Sequence, residues 1–156
     1  MIYKFDCLAY AYASDIKGSI GVNSDGSAYI ETDDRPIEEI RAEKWEQIKK
    51  HRDNLYNNGG YKVGTDWFYS SDTAKVTQIG LLLMGTSIPS GTTIPLMDGR
   101  RVTATNTLAK QIFAAAAAQN EAISMASRTH KAALDACTDP ANYDYSEGWP
   151  EVFVQK

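Results

Sequence analysis

The sequence predicts an α+β fold: a small antiparallel N-terminal sheet, two further β-hairpins, two short helices and one long C-terminal helix. Three observations lead to this prediction. The Asp-Gly pairs at 25–26 and 98–99 each separate two short extended segments, the usual pattern of a tight hairpin. Residues 106–137 contain neither proline nor glycine, and residues 114–118 are five consecutive alanines, the strongest helix formers. Hydrophobic residues make up 43% of the chain and charged residues 23%, proportions typical of a globular protein.

The first thirty residues predict the small sheet. Residues 2–12 begin with alternating side chains, as a strand does. Residues 19–23 and 27–31 flank the Ser24-Asp25-Gly26 turn and predict a hairpin. The tyrosines of this region suit either a half-hydrated interface or a plain sheet face. They are Tyr3, Tyr10, Tyr12 and Tyr29.

The next segment predicts the first short helix and the second hairpin. Asp33, Asp34 and Pro36 are typical of a helix start, because an acidic cap and a proline both suit the first turn. The helix is expected to end at Gly59-Gly60, where the backbone can take positive φ. Residues 61–63 and 67–69 then predict a hairpin.

The second short helix is predicted to start at Ser70-Ser71-Asp72, an N-cap sequence, and to end near Gly85. This segment is the most apolar in the chain. We expect four of its side chains, which recur at helical spacing, to form the core of the middle of the chain. They are Val76, Ile79, Leu82 and Leu83.

The third hairpin is predicted over residues 93–97 and 100–105, and it leads directly into the long helix over 106–137. At about 1.5 Å per residue this helix is about 45 Å long, comparable with the diameter of a compact chain of this size. Asp139-Pro140 is expected to stop it, because proline cannot continue a helix. We divide the chain into an N-terminal β docking element, residues 1–34, and a helix-hairpin-helix-hairpin-long-helix module, residues 35–156.

The long helix is predicted to be an assembly element. Its apolar stripe advances by three and four residues, which marks a packing seam, and most of its members are alanines that let a partner helix approach closely. We also expect the aromatic C-terminal tail to pack on its own body or on a neighbour. The predicted assembly interface consists of Ile112, Ala116, Gln119, Ile123, Ala126, His130, Ala133, Tyr143, Tyr145, Trp149 and Phe153.

The composition argues against two classes of partner. The net charge is −4, with 16 basic and 20 acidic residues, so the chain lacks the basic face that a nucleic-acid binder needs. No apolar run reaches the length of a membrane span, and the N-terminus does not resemble a secretory signal.

Cys7 and Cys137 are either two buried free thiols, which we favour, or a disulfide.

No catalytic, cofactor or metal site is predicted. The two histidines, His51 and His130, lie far from the cysteines in sequence, and zinc needs about four closely spaced ligands. The acidic stretch from Glu31 to Glu39 is explained by helix capping more simply than by a cation. The aromatics Tyr61, Trp67 and Tyr69 suit either cross-strand pairing, which we favour, or stacking on a sugar ring.

An ordered set of motifs extends over about residues 41–150, in the order helix, glycine pair, aromatic hairpin, apolar helix, Asp-Gly hairpin and long helix. The residues that define it are Trp45, Arg52, Leu55, Gly59, Gly60, Val63, Phe68, Asp72, Ile79, Pro95, Asp98, Gly99, Val102, Thr103 and Leu108. This set resembles a family of uncharacterised domains found in bacteriophage and prophage tail-fibre and tail-associated proteins.

The resemblance implies a structural virion protein of a tail fibre or baseplate, made in the host bacterial cytoplasm and bound to other tail or fibre proteins. It also implies a homo-oligomer. If the long helices meet around a threefold axis, Gln119 and His130 form polar layers that fix register; in the alternative they lie on a hydrated flank within one subunit. Two other functions remain open, a fibre-assembly chaperone and a hydrolase. A host-surface glycan is a further candidate partner.

Overall fold

A computed structural model of the chain describes residues 2–5, 19–31 and 35–154. Its contacts divide the chain into two compact units, Met1–Ile40 and Arg41–Lys156. The elements in chain order are β1 (Ile2–Phe5), β2 (Ser19–Val22), β3 (Ala28–Glu31), α1 (Ile37–Asn58), β4 (Tyr61–Val63), β5 (Asp66–Phe68), α2 (Asp72–Met84), β6 (Thr93–Pro95), β7 (Arg101–Thr103) and α3 (Asn106–Ala136). The predicted combination of small antiparallel sheets, two shorter helices and one long C-terminal helix is confirmed.

The first unit contains an antiparallel sheet in the order β1-β3-β2. The predicted Asp-Gly hairpin joins β2 to β3. Gly26 takes a φ of +83°, the Asn23 amide donates to the Ser27 carbonyl at 2.8 Å, and the Asp25 carboxylate accepts from the Ser27 amide at 2.9 Å. The remainder of the predicted first strand, residues 6–12, and the predicted caps Asp33 and Asp34 lie outside the described residues.

Helices α1 and α3 run antiparallel in the second unit. The Arg41 side chain donates to the carbonyls of Leu134 and Cys137 at 3.2 and 3.1 Å, so the start of α1 lies beside the end of α3. The Tyr56 hydroxyl, near the end of α1, lies 3.4 Å from the Asn120 carbonyl in the middle of α3. The Leu134 carbonyl also accepts from the Cys137 backbone N–H at 3.2 Å, and Arg41 adds a charged donor at this helix end. The largest side chains buried on these helices are Ile48, Leu55, Ile112, Ile123 and Leu134.

The two hairpins of this unit join edge to edge. Strand β4 pairs with β5 and β6 pairs with β7, while Phe68 and Leu96 form a bridge between the hairpins and the Met97 amide donates to the Trp67 carbonyl at 2.9 Å. Side chains from both hairpins, α2 and α3 close over one core. Its buried members are Tyr61, Phe68, Leu81, Ile94, Leu96, Ala104, Ala109 and Ile112.

Helix α2 starts as predicted, because the Ser71 side chain accepts from the Ala74 amide, but its apolar stripe does not form the core. Leu81 is buried and Leu82 packs against the core, whereas Val76, Ile79 and Leu83 are exposed. The prediction that all four apolar side chains face inward was therefore wrong for three of them. Helical spacing identifies residues that share a face and does not identify what covers that face.

Helix α3 extends without interruption over 31 residues and ends one residue before the predicted boundary. The Thr105 side chain caps its start by accepting from the Leu108 amide at 3.0 Å. After Cys137, which is a free thiol, Pro140–Asn142 forms a short turn. Cys7 lies outside the described residues. Within the described ranges no helix combines the length and apolar character needed to cross a bilayer.

Candidate functional site

The structure places most predicted assembly residues in contacts within one chain. The buried members are Ile112, Ile123, Ala126 and His130, the half-buried members are Ala116, Gln119, Tyr143, Tyr145, Trp149 and Phe153, and the exposed member is Ala133. The stripe thus faces the chain's own body along most of its length. That these residues also meet a second chain stays a prediction.

The C-terminal tail attaches through a cluster that we name the tail clamp, formed by His51, His130, Tyr143, Tyr145 and Trp149. The Trp149 indole stacks on the His130 imidazole with ring centroids 4.9 Å apart, and the edge-on contact with His51 has a centroid distance of 5.0 Å. The Trp149 indole N–H donates to the Tyr145 carbonyl at 2.8 Å. One indole therefore joins α1, α3 and the tail.

A second set of contacts extends the attachment toward the end of the chain. The Gln119 side-chain amide donates to the Glu151 backbone carbonyl at 2.9 Å. The Phe153 backbone N–H donates to the Gly59 carbonyl at 2.9 Å. A Cβ on Gly59 would lie 2.9 Å from the Val152 side chain and 2.5 Å from the Leu55 carbonyl, so a glycine is required here. The two polar residues of the α3 stripe, Gln119 and His130, thus both contact the chain's own tail.

Burial controls the electrostatics of the clamp. It lowers the pKa of His51 below its ordinary value of 6.5, and the neighbouring His130 lowers it further. Burial also raises the pKa of Tyr143, whose hydroxyl lies 2.9 Å from His130 Nδ1. On the outer side, the Lys44 ammonium lies 6.0 Å from the centre of the Tyr145 ring.

The two histidines of the clamp pack against aromatic rings. Both imidazoles have aromatic neighbours, and His130 is only 8% exposed. A histidine that serves as a general base usually has a carboxylate or carbonyl to orient it and a nucleophile within reach. In the described part of the chain, no three His, Cys, Asp or Glu side chains converge on a metal-sized site.

A different surface is open to solvent. Three apolar side chains of α2 and one of α3 form this surface, which we call the α2 face. They are Val76, Ile79, Leu83 and Phe113, with exposed fractions of 72%, 47%, 81% and 55%. A groove of about 300 Å³ lies between the two helices, with Ile79 and Phe113 in its lining. Large contiguous exposed apolar patches are more frequent at interaction surfaces than elsewhere on monomeric proteins.

The polar lining of this groove is sparse. It consists of Lys75, Gln78, Asn120 and the Tyr61 hydroxyl. Burial raises the pKa of Tyr61, and the neighbouring Asn120 side chain partly opposes that effect. The sequence contained the signal for this face, namely the spacing of Val76, Ile79 and Leu83, but burial inside the chain was the wrong interpretation of it.

The three aromatics considered for sugar stacking have separate environments. Tyr61 is buried and pairs with Phe68 across β4 and β5. The Trp67 ring contacts Phe153 edge-on at 6.3 Å, and the Lys62 ammonium lies 5.5 Å from its centre. Tyr69 is the exposed ring among the three. This arrangement agrees with cross-strand pairing in the β4–β5 hairpin.

Comparisons with known proteins give one positive finding. No curated protein and no solved structure matches the chain. A family match covers residues 39–147, more than half of the chain and nearly all of the second unit. It includes α1 from its third residue, both hairpins, α2, α3 and most of the tail clamp. The chain therefore belongs to the family described as Domain of unknown function (DUF4376).

Proposed function

We propose that this chain is a structural subunit of a bacteriophage virion, a tail-fibre, baseplate or tail-associated protein that acts by protein–protein contact. Its partners are other tail or fibre proteins and further copies of itself, and its location is the virion tail after synthesis in the host cytoplasm. The order of motifs over residues 41–150 resembles domains of such proteins. The family match supports the resemblance only at the level of the domain.

The observation that carries the proposal is the α2 face. A helix of 13 residues leaves Val76, Ile79 and Leu83 exposed, while Leu81 is its one buried side chain. Exposing large apolar side chains is unfavourable by about 1.5–3 kcal/mol each relative to burial, so a partner that covers them gains binding free energy. A surface of this composition fits a protein that functions by assembly.

Contacts between distant segments of the second unit also support an assembly role. Arg41 joins the start of α1 to the end of α3, and the tail clamp fastens the C-terminal segment to both helices. A body held by contacts between distant segments changes little when it binds, which reduces the entropy lost on association.

Purified particles of a phage that encodes this chain test the proposal. We expect the chain in finished particles at a fixed ratio to a known tail protein, measured by quantitative mass spectrometry, and crosslinks from the α2 face to neighbouring polypeptides. Val76→Ser with Leu83→Ser is expected to reduce incorporation. Val154→Ser is the matched control, because Val154 is 73% exposed and lies outside the α2 face.

Two results would contradict the structural role. If the chain binds a fibre precursor and is missing from finished particles, it acts as an assembly chaperone. If the chain neither binds a fibre precursor nor occurs in finished particles, the proposed function is wrong.

A further inference from the structure

The exposed stripe of α2 is nearly symmetric about its own midpoint. From the point between Ile79 and Gly80, a large apolar side chain lies three and a half residues away in each direction, Val76 on one side and Leu83 on the other. Both of these side chains are more than two-thirds exposed. A stripe with this symmetry presents the same surface to a second helix that runs in the opposite direction, as a twofold contact requires.

Gly80 is the unusual residue at that midpoint. It lies in the interior of α2, where glycine is less favourable than alanine by about 1 kcal/mol. A Cβ built at Gly80 meets no atom within 4 Å, so packing inside the chain does not require a glycine there. A missing side chain on an exposed helix face allows another backbone to approach closely, and Ile79 beside it supplies a side chain that fills the equivalent gap on a second copy.

The charges agree with an antiparallel arrangement. Lys75 precedes Val76 and lines the same groove as Ile79. In an antiparallel pair centred between Ile79 and Gly80, Lys75 lies beside the last turn of the other α2, where the carbonyls carry the negative end of the helix dipole. The last turn of α2 contains no basic residue that would oppose this contact.

We propose that the α2 face is a homotypic contact in which two copies pack α2 against α2, antiparallel, around a twofold axis at residues 79–80. Val76 of each copy contacts Leu83 of the other, and Ile79 covers Gly80. This inference rests on the proposed assembly function and names the partner as a second copy of the chain. Complete burial of the four exposed side chains in both copies would cover on the order of 800 Å² in total, below the range of stable dimers, so the contact is a weak one.

Thiol pairing tests the arrangement directly. In a Cys7→Ser and Cys137→Ser background, chains with Val76→Cys and chains with Leu83→Cys, one of them carrying a mass tag, are mixed and oxidised with oxidised glutathione. We expect the mixed pair to crosslink several times more than either chain alone. Crosslinking of Val76→Cys with itself at an equal or higher yield would indicate a parallel or unrelated contact and would overturn the proposal.

Sedimentation of the wild-type chain over micromolar to millimolar concentration measures the association itself. Val76→Ser is expected to raise the dissociation constant at least about tenfold, because each dimer loses two buried valines. Val154→Ser, which removes an equally exposed valine elsewhere, is expected to leave it unchanged.

Substitution of Gly80 separates folding from association. Gly80→Ala is expected to keep or raise the melting temperature of the monomer while weakening the dimer, and Gly80→Leu to abolish the dimer with circular dichroism unchanged. A wild-type chain that is monomeric at millimolar concentration, or a Gly80→Leu chain that dimerises normally, overturns the proposal. If such a monomer is still present in phage particles, the assembly function stands and only the homotypic contact is wrong.

Discussion

The indole of Trp149 stacks on the imidazole of His130 with an interplanar angle of 27°, and this pair fixes the C-terminal tail to the long helix. The two residues lie on opposite sides of the turn at Pro140–Asn142 that follows α3, so the chain turns back to bring them together. His51 closes the other side of the same indole from α1. The tail is therefore an integral part of the second unit.

Replacement of Trp149 tests this role. Trp149→Ala is expected to lower the free energy of unfolding by about 2–4 kcal/mol, because a large, partly buried ring is lost together with its contacts to both histidines. Urea unfolding followed by circular dichroism measures the change. Trp149→Phe, which keeps a ring but loses the hydrogen bond to Tyr145, is expected to lose less. A change below about 0.5 kcal/mol for Trp149→Ala would show that the tail contributes little to stability.

The lowered pKa of His51 predicts a pH dependence with a definite sign. The unfolded chain binds a proton at His51 near pH 6.5, whereas the folded chain does so only at lower pH, because burial disfavours the charged imidazole. The unfolded state therefore binds more protons below pH 6.5, and stability falls as the pH drops from 6.5 toward the folded pKa. Besides His130 inside the clamp, two charged groups act on its members: the Lys44 ammonium lies over the Tyr145 ring, and Asp144 interacts with His130.

Melting temperatures between pH 8 and pH 5 measure that dependence. His51→Gln is expected to remove the His51 contribution and to flatten the profile relative to wild type. An identical profile for the variant would show that other groups cause the acid sensitivity.

Gly60 and Gly64 form a matched pair for a test of backbone crowding. Both take positive φ, +78° and +63°, which costs a residue with a side chain about 1–2 kcal/mol. A Cβ at Gly64 meets nothing within 4 Å, whereas one at Gly60 would lie 2.4 Å from the Met97 sulfur and 3.1 Å from the Phe68 carbonyl. We expect Gly60→Ala to cost about 1–3 kcal/mol more than Gly64→Ala in denaturant unfolding. Equal losses of stability in the two variants would show that the neighbours of Gly60 do not crowd a Cβ there.

The hydrogen bonds from Arg41 to the end of α3 predict that removal of this side chain lowers stability. Arg41→Ala is expected to destabilise the chain by about 1.5–3 kcal/mol, since two carbonyls lose a charged donor. Arg41→Lys keeps the positive charge near the helix end and is expected to recover part of that loss. Hydrogen exchange of the last turn of α3 locates the effect. Unchanged exchange there in Arg41→Ala would show that the arginine does not stabilise the helix end.

Elements defined by local chemistry could be predicted from the sequence. The turns at Gly26 and Gly99 have the positive φ that the Asp-Gly signal implies, and α3 ends within one residue of the predicted boundary. The second strand of the β4–β5 hairpin was predicted one residue too late. A two-residue turn at Gly64-Thr65 already pairs Val63 with Asp66, because Gly64 supplies the positive φ.

Relationships between distant residues could not be predicted in the same way. The contacts of His51 and His130 with Trp149 join three segments, and no local signal specifies that pairing. The stripe of Val76, Ile79 and Leu83 was recognised, but the side of α2 that faces the core depends on where the hairpins close. The predicted assembly stripe on α3 was likewise recognised as a packing surface, and the structure shows the chain's own tail on part of it.

The position of Trp149 between two imidazoles provides an intrinsic optical reporter. A protonated imidazole quenches indole emission, so light from this ring depends on the protonation of His51 and on whether the tail is seated. With Trp45 and Trp67 changed to phenylalanine, the remaining emission would follow docking of the tail in real time, without an added dye.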